Sequence, residues 1–276
     1  LKGVVSTATD FTKSGTGLLV LSAVNTYTGA TFINGGTLRI NSDGALGAAA
    51  TAVTVAAGGT LDLSGSVVAN NINLFGRTVT IAGTGVGNAG AIVNNSNFTQ
   101  TSAIQALRLS ADASIGGTQG WNVGGIALEL AGFTLTKTGS NYIALANADV
   151  SLGNLVVNGG TLEVAGSTTS ILAGVLANTN NATITINTGA TLLLNGTSSF
   201  SFTRDLVMAG GTLISTNLAS SIGSNALLSA PTVMNTNGSD LTLTGVVSGS
   251  GLLSKVGGNI LNLNGINTFT GGLTVS

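Results

Sequence analysis

The sequence predicts an all-β protein, folded as a single-stranded parallel β-helix of about 12 coils without significant helix. Three observations predict this fold. A long repeat returns after about 121 residues, and a short motif returns after 20-odd residues. Between the motifs, apolar and polar residues alternate at period two and are punctuated by Asn-Gly and Gly-Gly pairs, as in strands joined by turns.

The long repeat joins the two ends of the chain. Residues 1–34 align with 243–276 without gaps, and 13 of the 34 positions are identical. A middle copy lies 124 residues after the first, where NGGTL at 34–38 recurs at 158–162. We expect one continuous solenoid over 1–276, divided into repeats 1–124, 125–242 and a partial 243–276. The predicted structural repeat residues are Lys13, Asn25, Tyr27, Gly29, Asn34, Gly36, Leu38, Lys137, Asn158, Gly160, Leu162, Lys255, Asn267, Phe269 and Gly271.

The short motif is an apolar strand, a small polar turn and then Thr-Leu. Its threonines lie 23 residues apart at Thr37 and Thr60, and 21 apart at Thr191 and Thr212. A sandwich of antiparallel hairpins is the competing all-β fold, but hairpin turns need not recur at a fixed spacing. Stacked coils about 4.8 Å apart do bring like residues together at coil spacing, so the motif favours the β-helix.

Composition excludes several function classes. The 276 residues include 42 Gly but no His or Cys, which excludes imidazole chemistry, histidine-bound zinc, thiolate metal sites and disulfides. A net charge of −1 gives no basic surface for nucleic acid. Apolar runs such as 171–177 are too short to span a membrane, and residues 1–6 are not expected to belong to a signal peptide, because they lack a basic region and a long apolar core. We therefore expect no cofactor, no metal, no nucleic acid partner and no membrane insertion.

The carboxylates are candidate catalytic residues, because parallel β-helices can host polysaccharide lyases and hydrolases. None recurs beside another at coil spacing, so the prediction is that they are solvated or cap turns, and that the protein is not an enzyme. The nine acids are Asp10, Asp43, Asp62, Asp112, Glu129, Asp149, Glu163, Asp205 and Asp240.

Two other residue types recur or stand out. Lys13, Lys137 and Lys255 share one repeat position and are predicted to be exposed, keeping a β edge soluble. Tyr27 and Phe269 also share a position, which favours an internal stack over a sugar-binding platform. Of the three aromatic residues, Trp121 is the one for which a sugar-binding role stays the strongest alternative to an internal position.

The segment 11–38 resembles the autotransporter passenger-associated β-strand repeat. The resemblance is carried by Leu-x-Leu, Asn-Thr-Tyr-Thr-Gly at 25–29 and Asn-Gly-Gly-Thr-Leu at 34–38. Residues 85–118 resemble the segment that precedes this repeat in such proteins. The resemblance implies an extracellular or cell-surface bacterial β-solenoid, commonly a surface fibre or adhesin stalk. Such passengers normally precede a membrane barrel, whereas this sequence ends within a repeat.

Three functions follow, in order of preference. The first is a non-enzymatic structural segment of a surface fibre, which is either a piece of a longer passenger or a subunit that stacks head to tail on copies of itself. The second is an adhesin that recognises a surface glycan or host ligand through the irregular stretches 85–125 and 214–240. The third is a polysaccharide-degrading enzyme, which would need three acids to converge on adjacent coils.

Overall fold

A computed structural model describes residues 3–48, 50–65, 71–146, 150, 153–166, 182–196, 200–202 and 204–276. In these parts of the chain every strand pairing is parallel, and the strands stack as a β-solenoid of about 11 turns. The predicted parallel β-helix is therefore confirmed, and the antiparallel sandwich is wrong. Two short 3-10 turns, Asp43–Leu46 and Val86–Asn88, are the helical segments of the described residues.

The strands are short because each side of a coil is only a few residues wide. In chain order they are β1 Phe11–Lys13, β2 Leu18–Leu21, β3 Thr31–Ile33, β4 Gly36–Ile40, β5 Val53–Val55, β6 Gly59–Leu63, β7 Thr78–Gly83, β8 Ile92–Asn94, β9 Gln100–Gly117, β10 Trp121–Glu129, β11 Thr134–Lys137, β12 Tyr142–Ala146, β13 Asn154–Val157, β14 Gly160–Gly166, β15 Thr183–Asn187, β16 Ala190–Gly196, β17 Phe200–Phe202, β18 Asp205–Ala209, β19 Thr212–Thr216, β20 Ser220–Ile222, β21 Ala226–Ala230, β22 Thr232–Asn235, β23 Leu241–Leu243, β24 Val247–Gly249, β25 Leu253–Val256, β26 Leu261–Leu263 and β27 Leu273–Val275.

Pairing arranges these strands on three faces of the coil. Face 1 stacks β1, β3, β5, β7, the middle of β9 and the end of β10, and β17, β20, β23 and β26 take the same place in later coils. Face 2 stacks β2, β4, β6, β8, the end of β9, β11, β13, β15, β18, β21 and β24. Face 3 stacks the starts of β9 and β10, then β12, β14, β16, β19, β22, β25 and β27.

The register confirms the coil spacing read from the short motif. Thr37 pairs with Thr60 and Thr191 pairs with Thr212, so the threonines 23 and 21 residues apart lie directly above one another. Face 1 repeats five times between β1 and the end of β10, and the chain then passes to β11 on face 2. The step from Lys13 to Lys137 is therefore five and one-third turns.

The core is a set of aliphatic columns inside the three faces. Alternate residues of each strand point inward, and register stacks them on the residues of the next coil. One column on face 2 contains Leu38, Leu61, Ile92 and Ile115, each fully buried and each in register with its neighbour. The next residue in that column is Lys137.

The corner glycines explain why Asn-Gly-Gly-Thr-Leu recurs. Gly36 and Gly160 have φ of +64° and +61°, the left-handed region where a side chain is strained. A Cβ on either residue would also collide with the backbone of the coil below. Each corner therefore needs glycine both for its φ and for the close approach of two backbones.

The two stretches expected to interrupt the coils behave differently. In 85–125 the chain does depart from short strands, because β9 runs 18 residues around three faces and the loop 95–98 precedes it. In 214–240 the expectation is wrong, since β20, β21 and β22 continue the regular ladders. The polar residues typical of turns in this stretch form the corners between one face of the coil and the next.

Candidate functional site

The corner after β1 is built around a buried lysine. The Lys13 ammonium donates hydrogen bonds to the carbonyls of Ser14 and Gly15, at 3.0 and 2.8 Å. It also reaches Gly35, 22 residues later, at 2.9 Å. One side chain thus gathers the carbonyls of two successive coils, and we name this arrangement a lysine clasp.

The corner after β11 repeats the clasp at the same offsets. The Lys137 ammonium donates to the carbonyls of Thr138 at 3.1 Å, Gly139 at 2.8 Å and Gly159 at 2.9 Å. A fourth acceptor, Oδ1 of Asn141, lies at 2.9 Å. Burial lowers the pKa of Lys137 to about 8.

The prediction that these lysines are exposed is wrong for two of the three. Lys13 is 7% exposed and Lys137 is 1% exposed. Period-two alternation turns both residues inward at the ends of their strands, so their stems join the core columns. Carbonyls at the corner then supply the acceptors that a buried ammonium requires. Lys255 lies one residue before the end of β25, is half-buried, and donates to the Gly257 carbonyl.

Two arginines, which the sequence reasoning missed, make similar contacts between coils. Arg77 is buried and donates to the Gly47 carbonyl at 2.8 Å and to the Thr51 side chain, on the preceding coil. Arg204 is fully buried, donates to the Gly153 carbonyl, and has its pKa lowered by burial to about 10. Neither arginine belongs to a recurring motif, so the sequence carries no repeat signal for them.

Five of the acids cap the backbone of the following coil. Each aspartate Oδ1 accepts a hydrogen bond from a backbone N–H that lies 20 to 30 residues later. The capping role predicted for them is thus present, but it acts between coils. The pairs are Asp10 with Ala30, Asp43 with Asn73, Asp112 with Thr134, Asp205 with Asn225 and Asp240 with Ile260.

The remaining acids serve other contacts. Asp62 is fully buried and its Oδ2 lies 2.9 Å from Nε of Arg39. Glu163 accepts from the Asn195 amide, and Glu129 lies 3.5 Å from Arg108 in an exposed ion pair. Asp149 lies outside the described residues. Among the residues that the structure describes, no three acids group as a metal site would need.

The singled-out aromatics lie inside the solenoid. Tyr27 is fully buried, stacks on Phe11 with centroids 5.4 Å apart, and shares a hydrogen bond of 2.7 Å with Thr31. Phe269 is partly buried against the core. Trp121 is buried, and its indole N–H donates to the Gly116 carbonyl at 2.9 Å. None of these three is an exposed platform for sugar stacking.

In the part of the chain that the structure describes, no helix has the length and the apolar character needed to cross a bilayer.

Comparison with known proteins gives two matches. The passenger-associated-transport-repeat family (PATR) matches residues 11–40 and 253–276, which contain the Lys13 clasp and its counterpart at Lys255. The chain is also 40% identical over 89 residues to the adhesin BmaC autotransporter of Brucella suis biovar 1 (strain 1330). That match covers 32% of this chain and only 3% of the adhesin's length. No solved structure matches the chain. Two stretches of the chain, 11–40 and 253–276, thus match the passenger-associated-transport repeat, and part of the chain is similar to an autotransporter adhesin.

Proposed function

We propose that this chain is a non-enzymatic structural segment of an extracellular bacterial surface fibre. The observation that carries the proposal is the continuity of contacts between coils: parallel ladders on three faces, joined at the corners by lysine clasps. Aspartate caps add one more bond from coil to coil at several corners.

These contacts resist bending for a simple geometric reason. Hydrogen bonds between stacked coils lie along the solenoid axis, so bending must lengthen the bonds of one face. With ladders on three faces, every bending direction stretches one of them. The clasps at Lys13 and Lys137 lie on different faces, so they reinforce different sides of the solenoid.

Single-molecule pulling between the two ends tests this role. We expect stepwise unfolding, with a step for one coil of about 22 residues releasing about 75 Å of chain. In Lys137→Met we expect a lower force for steps near β11. A chain that extends smoothly without resisting force would contradict the structural role.

The scattered aspartates support a non-enzymatic role, because five of them are engaged with backbone N–H groups of the next coil. Glycoside hydrolysis needs two carboxyl groups flanking one bond. Incubation with plant, microbial and animal polysaccharides should release no reducing ends above a heat-denatured control. Sustained release of reducing ends would revive the hydrolase, and formation of unsaturated ends that absorb in the ultraviolet would revive the lyase.

We further propose that additional coils cover the last coil, either flanking repeats of a longer chain or a second copy stacked head to tail. Val275 in this coil is 69% exposed. Ile33, at the repeat position of Val275, is fully buried. Sedimentation at rising concentration should show linear oligomers that Val275→Lys abolishes; a strictly monomeric chain at high concentration would overturn the second-copy form.

An adhesive role is the second candidate, and it is favoured by the likeness to a protein named as an adhesin. A solenoid can carry such a role on its outer side without changing its core. The stretch 85–125, where the chain leaves the regular coil, is where the side surface differs from the rest.

A further inference from the structure

We infer that a groove on the outside of face 2 binds an uncharged saccharide. The groove has a volume of about 330 Å³ and crosses four successive coils. Val20, Arg39 and Asn41 line it from the first two coils, and Ser64 and Gly65 from the third. Val20 and Arg39 are in register with each other, and the buried Asp62 lies next in the same row. Its far wall is the loop 95–98, which folds back over the face after β8.

The wall is fixed by its own hydrogen bonds. The Asn94 amide donates to the carbonyls of Phe98 at 2.8 Å and Gly120 at 2.7 Å. Ser96 Oγ donates to Oδ1 of Asn94 at 2.7 Å, and the Phe98 N–H donates back to Ser96 Oγ at 3.1 Å. The groove is thus formed before any ligand arrives, which lowers the entropy that binding must overcome.

The charge in the groove is balanced. Arg39 is held through Nε by the buried Asp62 carboxylate at 2.9 Å, and the same carboxylate accepts the Asn95 N–H at 3.1 Å. A fully buried carboxylate next to the guanidinium offsets its attraction for an anion. The groove therefore does not favour an acidic ligand.

Several polar groups in the groove nevertheless have no partner among the described residues. The terminal nitrogens of Arg39 make no hydrogen bond or ion pair there, and its side chain is 33% exposed. The side-chain amides of the exposed Asn95 and Asn97 make none either. Together they offer several donors and two acceptors, in a groove also lined by the half-buried ring of Phe98.

Neutral sugars fit this set of groups best. Adjacent hydroxyls can accept from the fork of a guanidinium and exchange hydrogen bonds with amides, and the C–H face of a sugar packs on an aromatic ring. The Arg39 guanidinium and the Asn95 backbone meet at the Asp62 carboxylate, and the groove as a whole crosses four coils, or about 14 Å. That length suits a short oligosaccharide lying along the solenoid axis rather than a single ring.

This inference goes beyond the structural role and would supply a site for the adhesive one. It is tested by an array and then titration calorimetry with hexamers of neutral glucose, galactose and mannose, beside acidic and sulfated hexamers. We expect at least one neutral hexamer to bind. The double variant Asn95→Ala/Asn97→Ala should weaken that binding about tenfold, the effect of losing one or two hydrogen bonds.

Asn237→Ala is the matched control, because Asn237 is an exposed asparagine far along the chain. It should bind as the unaltered chain does, and all variants should melt at the same temperature. The inference is overturned if no neutral hexamer binds, if only acidic hexamers bind, or if the double variant binds as well as the control. Any of these results would leave the pulling experiment, and with it the structural role, unaffected.

Discussion

The clasps at Lys13 and Lys137 share their offsets but differ in depth. Each ammonium binds carbonyls one, two and 22 residues later. Four residues after the lysine, the first copy has Gly17 and the second has Asn141, which adds a fourth acceptor. The second ammonium is also the more deeply buried. A deeper ammonium thus coincides with one more oxygen around it, as the cost of burying a charge requires.

Removing the deeper ammonium should have the largest effect. Lys137→Met keeps the apolar stem but leaves three carbonyls and Oδ1 of Asn141 without their donor. We expect the free energy of unfolding to fall by about 3–5 kcal/mol, measured by urea denaturation. Lys255→Met is the control and should cost far less, because the half-buried Lys255 donates to the Gly257 carbonyl of its own coil. A loss below about 1 kcal/mol in Lys137→Met would show that the clasp is not stabilising.

The second effect is a pH dependence of stability that comes from Lys137. The pKa of Lys137 is about 8 in the folded chain, against 10.5 for a lysine in water. Between these values the unfolded chain binds more protons, so stability rises with pH. From pH 8 to pH 10 we expect a gain approaching 2–3 kcal/mol in urea denaturation, at about 1.4 kcal/mol per pH unit. The gain in stability should vanish in Lys137→Met and persist in Lys13→Met. If the unfolding free energy of Lys137→Met still rises with pH by the same amount, the pH dependence comes from another group.

The shallower clasp should matter less. Lys13→Met removes the donor from three carbonyls near the surface, where water can replace part of the loss. We expect a fall in unfolding free energy of about 1–2 kcal/mol, and faster hydrogen exchange confined to the coils around β1 and β3. An equal loss in Lys13→Met and Lys137→Met would mean that depth and the Asn141 acceptor add nothing.

The smallest effect concerns the aspartate caps. Asp240→Ala removes the acceptor for the Ile260 N–H, and should cost about 0.5–1.5 kcal/mol in thermal or urea unfolding. Asp240→Asn should cost less than half of that, because an amide oxygen can accept the same bond. Asn225 already does so for the N–H of Val246 at 3.0 Å. Equal losses in the two variants would show that charge, not the hydrogen bond, is what matters.

The ladder could be predicted from the sequence because stacking makes like residues recur. The spacing of Thr37 and Thr60 is the coil length at that point, and the pairing follows it. Segments in which apolar and polar residues alternate, such as Thr183–Asn187 and Leu261–Leu263, are strands of the ladders, as the period-two pattern predicts. The division into long repeats stays a prediction, since the ladders run through its boundaries.

The burial of the lysines was not predicted, although the signal was present. In Thr134–Lys137 the inward positions are Leu135 and Lys137 by simple alternation. The lysines were predicted to be exposed because charged residues usually lie at the surface, although the alternation places Lys137 inside. The groove on face 2 was beyond sequence reasoning, since Arg39, Asp62 and Asn95 come from three coils whose lengths differ. Only the fold-back of the loop 95–98 makes them one surface.

The repeat step of five and one-third turns has a consequence for any surface feature that the repeat carries. Lys13, Lys137 and Lys255 lie on faces 1, 2 and 3 in turn. Each copy therefore presents its outer side rotated by about 120° and raised by about 26 Å, taking 4.8 Å per coil. In an array of such copies, a surface site present once per repeat would follow a helical path around the rod and return to the same side every three repeats. A partner approaching from any direction would meet a copy within about 77 Å of rod.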